Sequence, residues 1–399
     1  MKISAIVCEY NPFHNGHKYQ IEQNRKNGVT HIVAIMSGNF SQRGTPSVIS
    51  KRAKTEIALE NGCDLVIELP TAYSIANAEK FALGAIFLAN SLNCVDILSF
   101  GCENDDINKL QKTAQISNSI EVIALTKEYL KQGISFATAR HNAIKTLFGE
   151  DWATIMATPN NILAVEYIKS LNFFNSSINL LPILRKGSPH DSNFIVSNFA
   201  SSTFLRKMIL KNDKSISKFM PKSAYQILER EMKLGFAPAQ MANCERAILA
   251  KLRCMNQADF LNIADVAEGL ENKIYKAVQN AVSLEEVYAQ TKSKRYTLLR
   301  IQRIILSAFL DINKEIFNFW PPYIKVLGFN SRGKEILQVA KNKAQLPIIT
   351  NSSDIKKLKN DLVVPKFLQI ESRTFDLYNL MLPKVQKCGA EFTNQIIKM

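Results

Sequence analysis

The sequence predicts an α/β protein whose first part is a parallel sheet with flanking helices, and two observations support this. Short apolar runs rich in Val and Ile alternate with segments of helical spacing in the first 100 residues. The apolar runs are Ile3–Val7, His31–Met36, Leu65–Leu69 and Ile97–Phe100. The helical segments are Gly16–Asn27, Ser50–Asn61 and Asn77–Asn90, with Gly28 and Gly62 as stops. Such alternation implies right-handed crossovers and a Rossmann-like sheet.

The rest of the chain predicts two further units. Helical spacing fills most of the sequence up to residue 174, and one more strand-like run, ILR, follows Pro182. Beyond Arg206 the pattern is that of amphipathic, often basic helices, and from Tyr323 short apolar runs alternate with basic helices. The predicted boundaries are 1–206 for an α/β domain, 207–320 for a basic helical domain and 321–399 for a small C-terminal α/β unit.

The composition excludes several classes of protein. Hydrophobic residues make up 46% of the 399 residues, which is ordinary for a globular protein. No run reaches the roughly 18 apolar residues of a membrane span, and the pattern of a secretory signal is absent. The seven cysteines include no close CxxC pair, so neither a zinc site nor a disulfide framework is expected. We expect a cytoplasmic protein without a metal site of its own.

Positive charge is concentrated in one half of the chain. The net charge is +15, but residues 1–200 hold 18 basic against 17 acidic side chains, whereas residues 201–399 hold 32 against 18. A strong positive field on part of a protein favours a polyanionic partner, and nucleic acid is the usual one. The alternative is a lysine-rich surface that only confers solubility.

The stretch CEYNPFHNGHK directly follows the first predicted strand, where parallel sheets bind their ligands. Gly16 lets the backbone approach a phosphate, and the helix that follows offers its first N–H groups. His14 and His17 are three residues apart, so they lie on one side of a helical turn. The alternative is a pair of surface histidines on a turn, which the position after a strand disfavours. No GxGxxG fingerprint is present, so a dinucleotide site is not expected.

Together with a second stretch, ASSTFLR at residues 200–206, this loop resembles the nucleotidylyltransferase superfamily. HNGH matches its HxGH signature, and ASSTFLR is similar to its ISSTxxR signature, with Ala200 in the first position. Alone, the Ser-Ser-Thr run would be a helix cap. The resemblance implies that His14, His17 and Arg206 hold the phosphates of a nucleoside triphosphate.

Longer stretches are similar to one family, the tRNA(Met) cytidine acetate ligases. They include AIVCEYNPFHNGH, MSGNFSQRGTPSVISKRAKTEIALENGCDLVIELP, PNNILAVEYIKSL, TKSKRYTLLRIQRIILSAFL and YIKVLGFNSRGKEIL. The resemblance implies an enzyme that uses ATP and acetate to acetylate N4 of the wobble cytidine in elongator tRNA(Met). It further implies an acetyl-adenylate intermediate, Mg²⁺ accompanying the ATP, and neither a membrane nor a protein partner.

The resemblance also implies site residues. The ATP-binding segment comprises Val7, Cys8, Glu9, Tyr10, Asn11, Pro12, Phe13, His14, Asn15, Gly16, His17, Lys18, Tyr19 and Gln20. Further nucleotide contacts are Gly101, Asn161, Arg185 and Ser202, and the catalytic set is His14, His17, Lys18 and Arg206. Without the resemblance, Asn161 would be a helix cap and Arg185 a surface charge at a strand end. Relatives tend to carry a tyrosine before His190-Asp191, where this chain has Ser188-Pro189.

The predicted tRNA surface lies in the basic half. Lys292, Lys294, Arg295, Arg300 and Arg303 fall within twelve residues of TKSKRYTLLRIQR, with Tyr296 among them as a stacking partner. If the stretch is one helix, all of these except Lys294 share one side. A solvated helix face is the alternative.

Some questions stay open at the level of sequence. The loop Ser37–Gly44 lines an acetate or cytidine pocket, or it is a plain connection. The alternative function is a small-molecule adenylyl- or cytidylyltransferase, and a third is an RNA-binding protein that senses a nucleotide without turnover.

Overall fold

The computed structural model describes residues 1–186, 198–267, 269–358 and 360–399. In the first part of the chain, strands and helices alternate close to the predicted positions. The elements are β1 (Ile3–Cys8), α1 (Asn15–Lys26), β2 (His31–Ser37), β3 (Phe40–Ser41), β4 (Thr45–Pro46), α2 (Lys51–Glu60), β5 (Leu65–Leu69), α3 (Thr71–Ser74), α4 (Ala78–Ser91) and β6 (Ile97–Cys102).

Helices dominate the remainder, as predicted. They continue with α5 (Ile107–Ser117), α6 (Ile120–Lys131), α7 (Phe136–Phe148), α8 (Glu150–Ile155), α9 (Pro159–Phe173), β7 (Asn179–Leu184), α10 (Ser202–Leu210), α11 (Lys222–Leu234), α12 (Glu245–Arg253), α13 (Gln257–Leu261), α14 (Leu270–Asn280), α15 (Leu284–Thr291) and α16 (Leu298–Phe309). The last elements are β8 (Ile324–Phe329), α17 (Ser331–Lys343), β9 (Ile348–Ile349), α18 (Ser352–Lys356), α19 (Val364–Asn379) and β10 (Ile397–Lys398). Short 3₁₀ helices lie at Lys214–Phe219, Met241–Cys244 and Lys314–Asn318.

One sheet organises the molecule. Its strand order is β10-β8-β5-β2-β1-β6-β7, and β9 pairs with β8. The central strand β1 is parallel to β2 on one side and to β6 on the other. The carboxyl ends of these three strands therefore meet at one edge of the sheet, where the predicted nucleotide loop begins.

The central strands are buried on both faces, which explains their unbroken apolar composition. Alternate residues enter two separate cores: Ala5 and Val33 face one, whereas Ile6 and Ala34 face the other. The turn after α1 is fixed by Gly28, whose φ of +78° lies in the left-handed region that glycine adopts without strain. The predicted role of this glycine as a helix stop is confirmed.

The C-terminal segment differs from the expected self-contained unit in one respect. Its strand β8 pairs antiparallel with β5, so the main sheet is mixed and extends into the last quarter of the chain. The small α/β arrangement predicted there is present, but its strand belongs to the same sheet as the nucleotide loop. The boundaries at 206 and 320 stay predictions.

A buried ion cluster attaches this C-terminal segment to the first part of the chain. Lys51 Nζ lies 2.6 Å from Glu68 Oε1 and 2.6 Å from Glu391 Oε1. Lys325 on β8 contacts the same two carboxylates. The two lysines hold the pKa of Glu68 at about 2 despite its burial, so this carboxylate is ionised at neutral pH.

In the described part of the chain, no helix combines the length and apolar character needed to cross a bilayer.

Candidate active site

The loop between β1 and α1 is closed by the two histidines of HNGH. His14 is the N-cap of α1, and its Nδ1 atom accepts a 3.0 Å hydrogen bond from the Gly16 N–H. In turn, His17 Nδ1 accepts a 3.2 Å bond from the His14 N–H. The two side chains therefore replace the serine or threonine and the glutamate of an ordinary capping box.

These bonds fix which nitrogen carries the proton when each ring is neutral. Because each Nδ1 accepts a backbone N–H, each neutral ring carries its proton on Nε2. The rings stack with their centroids 3.8 Å apart and an interplanar angle of 24°. Burial, with Arg185 and Arg206 nearby, lowers the pKa of His14 to about 3. Burial, the neighbouring His14 and Arg185 lower the pKa of His17 well below its ordinary value. The site thus offers neutral N–H donors at physiological pH.

Gly16 leaves room for the His14 ring, because it has no Cβ atom. A Cβ atom on Gly16 would lie 2.9 Å from His14 Cε1 and 3.0 Å from His14 Nδ1. Any side chain at this position would therefore displace the imidazole from its capping position. The sequence predicted a glycine for close approach of phosphate, and the structure adds this steric reason within the loop itself.

The second motif meets the first at this point. Ser202 begins α10, and its Oγ atom lies 3.1 Å from His14 Nε2, which donates the proton. Arg206, one turn later, donates from Nη1 to the Asn11 carbonyl at 2.8 Å and from Nη2 to Thr203 Oγ1 at 3.0 Å. The two stretches that the sequence singled out thus form one site.

Asn161 forms hydrogen bonds with the neighbouring loop after β6. Its Oδ1 atom accepts from the N–H groups of Glu103 and Asn104 at 2.9 and 3.1 Å, and its own N–H donates to Glu103 Oε2 at 3.0 Å. Asn161 is buried, so this exchange fixes the course of the chain just beyond Gly101. Its side chain does not cap α9, whose N-cap is Thr158.

Arg185 lies across the same loop. Its N–H donates to the Cys102 carbonyl at 3.0 Å, and its Nε lies 4.0 Å from Glu103 Oε1. Its Cγ would lie 3.5 Å from a Cβ on Gly101, an ordinary contact distance. Burial lowers the pKa of Arg185, yet a guanidinium keeps its charge at neutral pH.

A cleft of about 50 Å³ joins these parts. The lining residues are His14, Gly16, His17, Tyr19, Gln20, Gly101, Ile183, Leu184, Arg185, Lys186, Phe199 and Ala200. The aromatic ring of Tyr19 has Lys186 Nζ 4.7 Å from its centroid. Neither Lys186 nor Phe199 was predicted from the sequence. Glu103, which contacts Asn161 and Arg185 beside the cleft, was also not predicted, although its position directly after a strand at the ligand edge was an available signal.

Not all predicted residues reach the cleft. Lys18 points to a separate groove, where its Nζ donates to the Asn61 carbonyl at 3.1 Å. In the empty site Lys18 thus lies away from this cleft, because it follows His17 on α1 and the helical rotation turns it away; its role at the phosphates stays a prediction. Tyr10 and Phe13 are fully buried and support the loop from inside, as does Cys8. Residues 188–191, where this chain departs from its relatives, lie outside the described residues.

The basic stretch is not one helix. Thr297 accepts a hydrogen bond from the Arg300 N–H and caps α16, so Lys292 and Lys294 precede the helix. The condition under which these side chains would share one helical face is therefore not met. Arg300 donates to the Asp265 carbonyl, and Arg303 forms an ion pair with the Asp265 carboxylate at 3.2 Å.

The loop Ser37–Gly44 lies against the nucleotide loop, where the Gln42 N–H donates to Glu9 Oε1 at 2.6 Å. Lys54 is fully buried beneath it and donates from Nζ to the carbonyls of Glu9, Ser37 and Gly38 at 2.7–2.9 Å. Burial lowers the pKa of Lys54 to about 8. Gly44 touches α16 so closely that a Cβ there would lie 2.5 Å from the Arg303 nitrogen.

Comparisons with known proteins cover the whole chain. Residues 1–391 match the family model described as HIGH Nucleotidyl Transferase. A tRNA(Met) cytidine acetate ligase of Thermoanaerobacter sp. (strain X514) is 41% identical over 407 residues, with 100% of both chains covered. The protein of the same name from Acetivibrio thermocellus is 36% identical over 416 residues, again with 100% of both covered.

Solved structures agree with these sequence matches. The apo crystal structure of Thermotoga maritima TmcAL matches with a TM-score of 0.95 at 33% identity and covers 100% of both chains. The crystal structure of that protein bound with alpha-thio ATP has a TM-score of 0.92 at 33% identity and covers 100% of this chain and 99% of the other.

Proposed function

This chain belongs to the tRNA(Met) cytidine acetate ligase family of HIGH nucleotidyl transferases, and we propose that it uses ATP and acetate to acetylate N4 of the wobble cytidine in elongator tRNA(Met). The observation that carries the proposal is the contact of His14 with Ser202, which brings both phosphate motifs together beside the cleft. The matches also run through the basic half of the chain, which a small-molecule nucleotidylyltransferase leaves unexplained. Because its substrate would be tRNA, we expect it to act in the cytoplasm.

In the first step, an acetate oxygen attacks the α-phosphorus of ATP. The new O–P bond forms as the bond to the β-phosphate oxygen breaks, giving acetyl-adenylate and pyrophosphate. The Nε2–H groups of His14 and His17 donate to phosphate oxygens where negative charge develops, and Arg206 faces the departing phosphates. Both histidines are neutral in the empty site, and the negative charge of a bound triphosphate would raise the pKa of each ring.

Mg²⁺ is proposed to arrive with the ATP. The residues that line the described cleft include no carboxylate, so the ion would be held by phosphate oxygens and water. When bound, it would neutralise part of the triphosphate charge. The protein's own part is to orient the α-phosphorus towards the carboxylate.

In the second step, the cytidine N4 amine attacks the acyl carbon. The C–N bond forms, the bond from the acyl carbon to the adenylate oxygen breaks, AMP leaves, and the amine loses one proton. To reach the adenylate, the wobble base must leave its stack, as bases in RNA loops generally do on enzymes. The exposed Lys292 and Lys294 would contact phosphates of the tRNA.

The test is transfer of label from acetate to tRNA. The protein is incubated with ATP, Mg²⁺, labelled acetate and bulk tRNA, and each component is then left out in turn. Label in tRNA that depends on all components, with one AMP and one pyrophosphate per acetyl group, supports the proposal. Pyrophosphate release without label in tRNA, and with nucleotidyl transfer to a metabolite, would replace it with the small-molecule alternative.

A further inference from the structure

Four polar side chains beside the nucleotide loop are enclosed and have no hydrogen-bond partner among the residues that the structure describes. The unpartnered atoms are Asn11 Nδ2, Ser37 Oγ, Asn39 Nδ2 and Gln42 Nε2. Asn11 is 3% exposed, Ser37 0% and Asn39 4%. Buried donors are nearly always paired, because an unpaired one destabilises the fold. Four such atoms near one loop therefore point to a ligand.

One hydrogen-bond network links the four residues. The Gln42 N–H donates to Glu9 Oε1 at 2.6 Å, and the Glu9 and Ser37 carbonyls both accept from Lys54 Nζ, at 2.9 and 2.8 Å. Ser47 Oγ lies 3.0 Å from the same ammonium. The Ser47 N–H then donates to the Asn39 carbonyl at 2.8 Å. The next residue, Val48, donates its N–H to Asn11 Oδ1.

The two asparagine amides are fixed with their NH₂ groups available. Asn11 Oδ1 accepts from the Val48 N–H at 2.9 Å, and Asn39 Oδ1 accepts from the Lys51 N–H at 2.7 Å. Since a backbone N–H can only donate, the oxygen and nitrogen of each amide are assigned without ambiguity. The two unpaired asparagine nitrogens are therefore donors, and the Ser37 hydroxyl and the Gln42 amide can donate beside them, so the set is matched by a ligand that accepts.

The set adjoins the phosphate site. The Asn11 carbonyl accepts from Arg206 Nη1 at 2.8 Å, and Asn11 lies three residues before His14 on the same loop. A ligand held by the Asn11 amide would therefore lie next to the groups that are proposed to hold the triphosphate.

We propose that Asn11, Ser37, Asn39 and Gln42 bind the carboxylate substrate through its two oxygen atoms. A small monocarboxylate accepts hydrogen bonds at both oxygens and donates none, which matches this donor set. Cytosine fits it less well, because its N4 amine would bring further donors. The proposal rests on the proposed function and deepens it by naming the residues that select a short acid.

The experiment is acetate-dependent exchange of labelled pyrophosphate into ATP, with Ser37→Ala and Asn39→Asp. The second variant keeps the oxygen that accepts from Lys51 and replaces the NH₂ by an acceptor that repels a carboxylate. We expect the KM for acetate to rise about 10-fold in Ser37→Ala and about 100-fold in Asn39→Asp. The dissociation constant of a non-hydrolysable ATP analogue should change less than twofold.

Ser117→Ala is the matched control, because its buried hydroxyl donates to the Ala114 carbonyl far from the cleft. Its KM for acetate should equal that of the wild type. Ser37→Ala should also unfold at the same urea concentration as the wild type or higher, since it removes an unpaired buried hydroxyl. An unchanged KM for acetate in folded Ser37→Ala and Asn39→Asp would overturn the assignment. Absence of acetate-dependent exchange in the wild type would instead refute the proposed function.

Discussion

His14 Nε2 lies 3.1 Å from the Ser202 hydroxyl oxygen, although 188 residues separate the two in sequence. The contact joins the loop after β1 to the start of α10 across the ligand edge of the sheet. Because the His14 proton already has an acceptor in the empty site, ATP bound as proposed would take over a donor that is oriented in advance. Preorganised donors of this kind need no rearrangement during the reaction.

His14→Asn should reduce pyrophosphate release about 100- to 1000-fold, which corresponds to the loss of one donor to developing charge, about 2.7–4 kcal/mol. Asparagine is a good N-cap, so α1 should keep its start and the protein its fold. Acetate-dependent pyrophosphate release measures the effect. His141→Ala, on α7 and away from the cleft, is the control. Near-normal release by His14→Asn would rule out the proposed role of this ring.

Stability should fall as the pH drops below about 6.5, partly because of His14. Its pKa in the folded protein is about 3, whereas an unfolded histidine titrates near about 6.5, so between these values only the unfolded chain takes up the proton. The contribution is complete above about pH 6.5 and is lost towards pH 3. We expect the free energy of unfolding, measured by urea titration, to fall between pH 7.5 and pH 5.0 in both proteins. The fall should be about 2 kcal/mol smaller in His14→Asn than in the wild type, because the variant lacks this histidine. Equal losses in both proteins would contradict the buried neutral state of the ring.

Gly16→Ala should weaken ATP binding more than tenfold. Alanine favours a helix over glycine by about 1 kcal/mol, so the substitution alone would stabilise α1. Its Cβ would however approach His14 Cε1 to 2.9 Å and displace the ring. Calorimetric titration with an ATP analogue gives the affinity. The exposed Glu22→Ala on the same helix should bind as the wild type does, and tight binding by Gly16→Ala would show that the ring position is not required.

Gly44→Ala should destabilise the protein by more than Gly133→Ala does. Both glycines have left-handed φ values, +72° and +76°, so both substitutions cost about 1–2 kcal/mol of backbone strain. Only at Gly44 would the new Cβ meet a backbone, at 2.5 Å from the Arg303 nitrogen, whereas nothing lies within 4 Å of Gly133. Chemical unfolding of both variants isolates the contact between the β3–β4 hairpin and α16. Equal losses would mean that this contact is not tight.

The predicted tRNA-binding residues should divide into two groups. Lys292→Ala and Lys294→Ala should each lower the slope of log affinity against log salt by about 0.7–0.9, because each releases one phosphate contact. Arg303→Ala should instead reduce stability by about 1–3 kcal/mol, since its side chain is 16% exposed and pairs with Asp265. Fluorescence anisotropy with labelled tRNA over a range of KCl concentrations separates the two effects. If a variant with both lysines replaced kept the wild-type slope of log affinity against log salt, the tRNA would bind elsewhere on the protein.

The sequence alone predicted the parts of the fold that depend on local pattern. The runs of Val and Ile gave β1, β2, β5 and β6 to within two residues, and HNGH and ASSTFLR identified the two motifs that the structure brings together. The C-terminal end of α1 was likewise predictable from Gly28.

Features that depend on distant contacts were not predictable. Pairing of β8 with β5 joins residues more than 250 positions apart, and no local pattern in IKVLGF distinguishes it from a strand of a separate sheet. The break before α16 depends on Thr297, a capping residue inside a stretch whose charges look continuous. The unpaired donors at Asn11 and Asn39 are visible only once their oxygens are known to be occupied.

The antiparallel strand β8 has a consequence for biosynthesis. During translation, β5 remains an open edge with unsatisfied backbone groups until residues 324–329 have left the ribosome, by which time the nucleotide loop and ASSTFLR have long emerged. A chain that stopped at residue 206 would carry every residue that is proposed to bind phosphate and would still expose the unpaired edge of β5 to neighbouring chains. Completion of the catalytic sheet is thus tied to synthesis of the segment that holds Lys325, so an unfinished ribosomal product would be prone to aggregate before it could consume ATP.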